Sequence, residues 1–220
     1  MLNKLIFPTK DLCFFCKDET AYIEHFLCGE CRARVEEIHG EYKLESPYIK
    51  DCYVSLFYNN FTRDFFHKFK FQDKSYLYSP FSSYMIKTIK ENQINDFDLI
   101  IYVPIHWRKE ARRGYNQAYL LANAVGENLN KPVLNKVLIK SKWTKEQNKL
   151  SSLARRHNLD NSFAIKNPEL IRGKRILLID DLVTTGTTLT LCAKELIRAG
   201  ADTVTGLVLI STKLEELGFA

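Results

Sequence analysis

Apolar residues fall in two rhythms along this chain. Short, nearly continuous runs at 53–58, 99–103, 133–139, 175–179 and 203–210 read as strands. Between them the spacing is helical: Phe61, Phe65 and Phe69 recur every four residues with Phe66 beside them, and Ala118, Leu121, Ala122, Val125 and Leu129 share one helical face. A further apolar-periodic helix runs from about 187 to 199. From Asp98 onward strands and helices alternate, an order that builds a parallel sheet with ligands at its carboxyl edge. The pattern therefore predicts an α/β domain over 46–220, preceded by a small module at 1–45 that ends in the charged stretch 36–45. No repeats and no low-complexity segments interrupt it.

Length and composition fit that division. With 220 residues, 45% of them apolar, the chain can bury one medium core and carry a small appendage. No run of eighteen apolar residues is present, which argues against a transmembrane helix. The opening apolar stretch is too short for a secretory signal, so the expected location is cytoplasmic.

Charge is uneven. Residues 1–45 hold six Lys/Arg against nine Asp/Glu, whereas 104–158 hold twelve Lys/Arg against three Glu, a net of +9. A concentrated basic surface suits pyrophosphate or a nucleic-acid backbone, and a solvated basic face is the plain alternative. Residues 57–84 contain eleven aromatics with Lys68, Lys70 and Lys74 among them. Aromatics interleaved with cations can stack single-stranded bases, but the helical spacing favours core packing.

Two Cys-x2-Cys knuckles, Cys13/Cys16 and Cys28/Cys31, stand eleven residues apart. Four thiolates brought together in this way close a tetrahedral zinc site with no open position, which makes it structural. Disulfides or a redox pair are the alternatives; a cytoplasmic setting disfavours the first, and redox motifs usually occur singly. A module this small buries little apolar surface, so the metal would serve as its core. Cys192 reads as a core residue of the last helix.

The chemistry is densest at Arg175-Ile176-Leu177-Leu178-Ile179-Asp180-Asp181-Leu182-Val183-Thr184-Thr185-Gly186-Thr187-Thr188-Leu189. A buried strand ends in two carboxylates, and a Thr/Gly loop then opens a helix. Backbone N–H groups and hydroxyls at such a helix start can hold a phosphate dianion, with carboxylates placed for sugar hydroxyls or a metal ion. An ordinary capped helix needs only one Ser, Thr or Asp.

Two further segments carry charge toward that edge. After the strand at 99–103, Arg108, Lys109, Arg112 and Arg113 precede Gly114, Asn116 and Gln117; the cations could neutralise a pyrophosphate, and the amides could cap the next helix or touch a ligand. Gln147, Leu150, Arg155, Arg156, Asn158 and Phe163 lie in or beside the long polar connection before Ser162, where mobile lids are found.

The Asp180–Thr188 run resembles the phosphoribosyl pyrophosphate signature of type I phosphoribosyltransferases. Together with Arg112-Arg113-Gly114-Tyr115-Asn116-Gln117, the Gln147…Asn158…Phe163 pattern and the four-cysteine start, the chain is similar to the ComF family. The tail departs from that pattern at 209–213, where relatives often carry Ala-Arg.

The resemblance implies a type I phosphoribosyltransferase core behind a zinc finger, in a protein that handles incoming single-stranded DNA during natural transformation. Its place would be cytoplasmic, peripheral at the inner membrane beside the DNA-uptake machinery. It further implies that Asp180 and Asp181 hold ribose hydroxyls and bear indirectly on Mg2+, while Thr184, Thr185, Gly186, Thr187 and Thr188 cradle the 5′-phosphate. The segment after Pro104 would face pyrophosphate, 147–156 would form the lid, and 46–97 would supply any acceptor pocket. Three functions stay open: a DNA-uptake factor with a phosphoribosyl pocket, a working phosphoribosyltransferase, and a regulatory sensor of phosphoribosyl pyrophosphate.

Overall fold

The computed structural model describes residues 11–20, 22–141 and 162–213. In chain order the elements are β1 (Asp11–Leu12), β2 (Glu19–Thr20), α1 (Gly29–Ala33), β3 (Glu37–Glu41), β4 (Cys52–Phe57), α2 (Asn60–Phe71), α3 (Tyr78–Glu91), β5 (Leu99–Tyr102), α4 (Trp107–Arg113) and α5 (Gln117–Leu129). They continue with β6 (Leu138–Lys140), β7 (Phe163–Ile165), β8 (Arg175–Val183), a helix here called α6 (Thr187–Arg198), and β9 (Thr203–Ser211).

The main sheet has five strands in the order β3-β4-β9-β8-β5. The β4–β9, β9–β8 and β8–β5 pairs are parallel, and β3 joins the edge antiparallel to β4. The central strands are mostly apolar because both faces are covered, with the acid pair confined to the end of β8. Side-chain alternation divides β8 between two cores: Leu177 and Ile179 pack toward α2, α3 and α5, with Phe69, Phe81 and Leu121, while Ile176 and Leu178 pack toward α6, with Leu189, Cys192 and Leu196.

Three details differ from the sequence reading. The run 175–179 does not stop before the acids: β8 continues to Val183, and Asp180 is paired with Val208 of β9. The run 133–139 is not one strand. Val133 makes an isolated bridge to Ile100, and the regular strand is Leu138–Lys140. Between them Lys136 takes φ 58°, a left-handed conformation that breaks an extended run. The stretch 36–45 does more than close the small module, because Glu37–Glu41 is the edge strand of the main sheet.

The amino-terminal knuckle does not stand alone. Phe15 stacks on Phe65 with ring centroids 3.9 Å apart and planes 6° from parallel, and its ring also meets Phe61 and Phe81. Cys13, Phe15, Leu27, Cys31 and Val35 thus belong to the same core as α2 and α3. The dense aromatics of 57–84 serve this packing: Phe65, Phe66, Phe69, Phe81 and Tyr84 are all buried. Among the described residues no helix is long and apolar enough to cross a membrane.

Candidate functional site

The end of β8 carries the acid pair into the mouth of the sheet. Asp180 is only 9% exposed, and the Asp181 N–H donates to its Oδ1 at 2.8 Å. Burial, reinforced by the neighbouring Asp181 charge, pushes the Asp180 carboxyl up to about 8. The Lys70 ammonium, from the last turn of α2, lies 3.1 Å from Asp181 Oδ2 and 3.4 Å from its Oδ1.

The loop after β8 leaves hydroxyls and backbone N–H groups at the start of α6 that could meet an anion. Thr184 and Thr185 are exposed, Thr187 and Thr188 half-buried, and the Thr185 and Thr187 hydroxyls are 3.0 Å apart. Gly186 takes φ 68° and precedes α6 without a side-chain cap, so no side chain there occupies the first-turn N–H groups. A Cβ here would fall 2.1 Å from Leu44 Cδ1, so any other residue would have to displace that side chain as well as hold a left-handed backbone. Leu44 and Tyr48 lean over the loop and, with Thr185, Thr187, Thr190 and Lys194, line a cavity of about 330 Å³.

The basic segment leaves β5 through Pro104 and enters α4, which His106 caps by accepting from the Arg108 N–H at 3.3 Å. Gly114, at φ 81°, ends α4, and Asn116 starts α5 by accepting from the Ala118 N–H. The same amide donates to the Val103 carbonyl at 3.1 Å, which ties the turn to the end of β5. Gln117 donates to the Phe69 carbonyl at 3.1 Å and accepts from Arg113 at 3.3 Å. Arg113 is 8% exposed and lies 4.9 Å over the Phe71 ring.

The end of β8, the last turn of α2 and the basic segment converge on a pocket of about 130 Å³, bordered by Lys70, Lys109, Arg113, Asn116, Asp180 and Asp181, while the Thr/Gly loop lines the separate cavity under Leu44 and Tyr48. Of the residues anticipated from sequence, the structure brings together Arg113, Asn116 and the acid pair, with the Thr/Gly loop following directly along the chain. Arg112 is exposed and does not border this pocket, while Gln117 is buried behind it and spends both ends of its amide inside the fold. Gln147, Arg155 and Arg156 lie outside the described residues. Lys70, which the sequence marks only as one of three cations among the aromatics of 57–84, joins this pocket from α2. Its only sequence signal is a cation set within the aromatic face of a helix.

The cysteines form a second centre. The Sγ atoms of Cys13, Cys16, Cys28 and Cys31 all lie within 4.8 Å of one another, and all four are free thiols. The Cys28 N–H points to Cys13 Sγ at 3.4 Å and the Cys31 N–H to Cys28 Sγ at 3.5 Å. Burial works against a Cys13 thiolate, but the surrounding backbone N–H groups outweigh it and bring the thiol down to about 7. A soft, four-sulfur donor set of this size can hold a metal ion. The carboxylate pair of the main pocket offers hard oxygens of the kind Mg2+ and its waters accept.

Residues 111–217 match the family model described as a phosphoribosyl transferase domain. Competence protein F of Haemophilus influenzae is 29% identical over 87% of this chain and 81% of its own length. Competence protein ComFC of Bacillus subtilis is 26% identical over 94% of this chain and 86% of its own. DNA utilization protein YhgH of Escherichia coli O157:H7 is 32% identical over 63% of this chain, but the match spans only 62% of that protein. Among solved structures, adenine phosphoribosyltransferase from Saccharomyces cerevisiae superposes with a TM-score of 0.41 at 11% identity, covering 61% of this chain and 68% of that one.

Fold and site define a type I phosphoribosyltransferase-like domain behind a four-cysteine cluster. Along most of its length the chain is similar to competence proteins of the ComF family.

Proposed function

We propose that the protein binds phosphoribosyl pyrophosphate, or a closely related ribose phosphate, and handles incoming single-stranded DNA in natural transformation on the cytoplasmic side of the inner membrane. The observation that carries the ligand half is the convergence of Asp180 and Asp181 with Lys70, Lys109 and Arg113, directly before a Thr/Gly loop at a helix start. In this reading Asp180 and Asp181 receive the ribose hydroxyls. Thr184, Thr185, Gly186, Thr187 and Thr188 take the 5′-phosphate, and Lys109 and Arg113 face the diphosphate. Mg2+ would accompany the diphosphate and neutralise its charge; zinc would close the Cys13, Cys16, Cys28, Cys31 cluster as a structural ion. Arg112, Gln147, Arg155 and Arg156 remain candidate contacts from the basic face and the lid.

The DNA half rests on the relatives' names, competence protein F, ComFC and DNA utilization protein, and on surface chemistry. Trp107 is 64% exposed with the Arg108 guanidinium 5.2 Å from its ring, and Phe71 is 51% exposed beneath Arg113. Exposed rings can stack bases, and the exposed Arg108 beside Trp107 can track a phosphate backbone.

A second reading, a working transferase, draws on the same pocket. An acceptor would attack the anomeric carbon, the C1–O bond would break, and pyrophosphate would leave with both bonding electrons, its charge stabilised by the pocket cations. Pyrophosphate release across a panel of bases, amines and single-stranded DNA separates the two. The binding role predicts no acceptor-dependent release, together with a single-stranded DNA affinity that falls steeply with salt as counterions are displaced. Acceptor-dependent release that is lost on Asp180→Ala with Asp181→Ala would establish the transferase instead, and salt-insensitive DNA affinity would contradict the DNA role.

A further inference from the structure

The turn between α4 and α5 borders the acid pocket, yet its polar side chains are largely directed elsewhere. Tyr115 Oη and Gln117 Nε2 both donate to one acceptor, the carbonyl of Phe69, at 2.6 and 3.1 Å. That carbonyl belongs to the last turn of α2, where main-chain oxygens have no partner within the helix. Two side chains from a distant turn therefore cap this helix end from outside. Such a clamp is stiff, because Phe69 and Phe66 on the same helix are 0% and 3% exposed and cannot shift without unpacking the core.

What the clamp holds in place is the next residue. Lys70 extends from the clamped turn, passes its ammonium 4.9 Å from the Phe66 ring centre and ends on Asp181. Its side chain is 20% exposed and that of Asp181 14%, so the pair is neither a surface contact nor sealed in the core. It faces the cavity that Lys109 and Arg113 also border. An ion pair kept only for stability would gain from close packing on all sides. This one borders open volume, and its carboxylate is the group assigned above to a ribose hydroxyl.

We propose that Lys70 is a ligand-contacting residue of this site, a resident cation that neutralises Asp181 in the empty pocket and passes to a phosphate oxygen when sugar hydroxyls engage the acids. Tyr115 and Gln117 are positioning residues that act through it. This rests on the ribose-phosphate reading of the pocket and adds a residue and a geometry to it. It also accounts for the placement of Tyr115 and Gln117 in the Arg-Arg-Gly-Tyr-Asn-Gln motif, since their donors hold the helix that delivers the cation instead of reaching the ligand.

The test is calorimetric titration of phosphoribosyl pyrophosphate, with and without Mg2+, into the full chain and into Lys70→Met, Tyr115→Phe and the double variant. Thermal melting and metal content monitor folding. Lys70→Met should weaken binding on the order of 10–100-fold, the range of a charge-assisted hydrogen bond, with the larger loss in the absence of Mg2+. Tyr115→Phe should weaken binding several-fold, and that loss should vanish in the Lys70→Met background, because the two residues act as one unit. Lys70→Arg should recover part of the affinity, and Lys70→Gln replaces Lys70→Met in the series should the latter not fold. Full affinity in Lys70→Met, or losses that simply add in the double variant, would overturn the assignment while leaving the ribose-phosphate reading intact. An unmodified chain that does not bind the probe at all would overturn both.

Discussion

A single proton sets the character of the pocket. Asp180 is drawn into the sheet end by the same strand pairing that makes β8 continuous, and burial raises its carboxyl to about 8. In the unfolded chain the group ionises in the ordinary carboxylate range, so between that range and about pH 8 the folded state binds the extra proton. Stability contributed by the protonated form is therefore present at low pH and lost progressively as pH rises through this window. Asp180→Asn should consequently melt higher than the parent at pH 8, with the difference shrinking toward pH 4; a difference independent of pH would contradict it. Much of this was legible in sequence, since two acids after a buried run mark a sheet's carboxyl edge. Lys70 was not legible, because 111 residues separate it from Asp181 and its neighbours Phe69 and Phe71 make it look like the wet edge of a core helix.

At the scale of elements, the β8–α6 connection shows why a glycine sits inside a run of threonines. Gly186 meets two demands together, a left-handed backbone and the close approach of Leu44 from the segment after β3. Gly186→Ala should cost roughly 1–2 kcal/mol from the backbone alone, with a further loss from the collision, read by urea denaturation. Adding Leu44→Ala should relieve the collision but not the backbone cost; full recovery in the double variant would show that φ plays no part. Local pattern foresaw the strand, the loop and the helix here, but not the partner, since nothing in a Thr/Gly run points to Leu44. The same limit explains the run 133–139, where apolar composition alone suggested one strand and the backbone reversal at Lys136 divides it.

Seen whole, the molecule is less divided than its sequence. The four cysteines were legible as a cluster from spacing alone, but not that Phe15, between Cys13 and Cys16, would insert into the aromatic core of α2 and α3. Metal loss should therefore be felt beyond the knuckle. Replacing Cys13 and Cys16 by Ser should release one equivalent of zinc and lower hydrogen-exchange protection in α2; a parent protein free of zinc, or unchanged protection in α2, would contradict this coupling. Phe15→Ala should retain the metal yet destabilise the chain by about 3–5 kcal/mol, the usual loss for a buried phenylalanine.

On the proposed reading, the acid pair and the Thr/Gly loop form one ribose-phosphate site. Calorimetry of phosphoribosyl pyrophosphate with Mg2+, comparing the full chain with its Asp180→Ala, Asp181→Ala double variant, tests it most directly. Saturable binding in the parent that disappears in the variant, with the zinc content of both unchanged, is the predicted result. Equal affinity in the two proteins, or no binding in either, would contradict it.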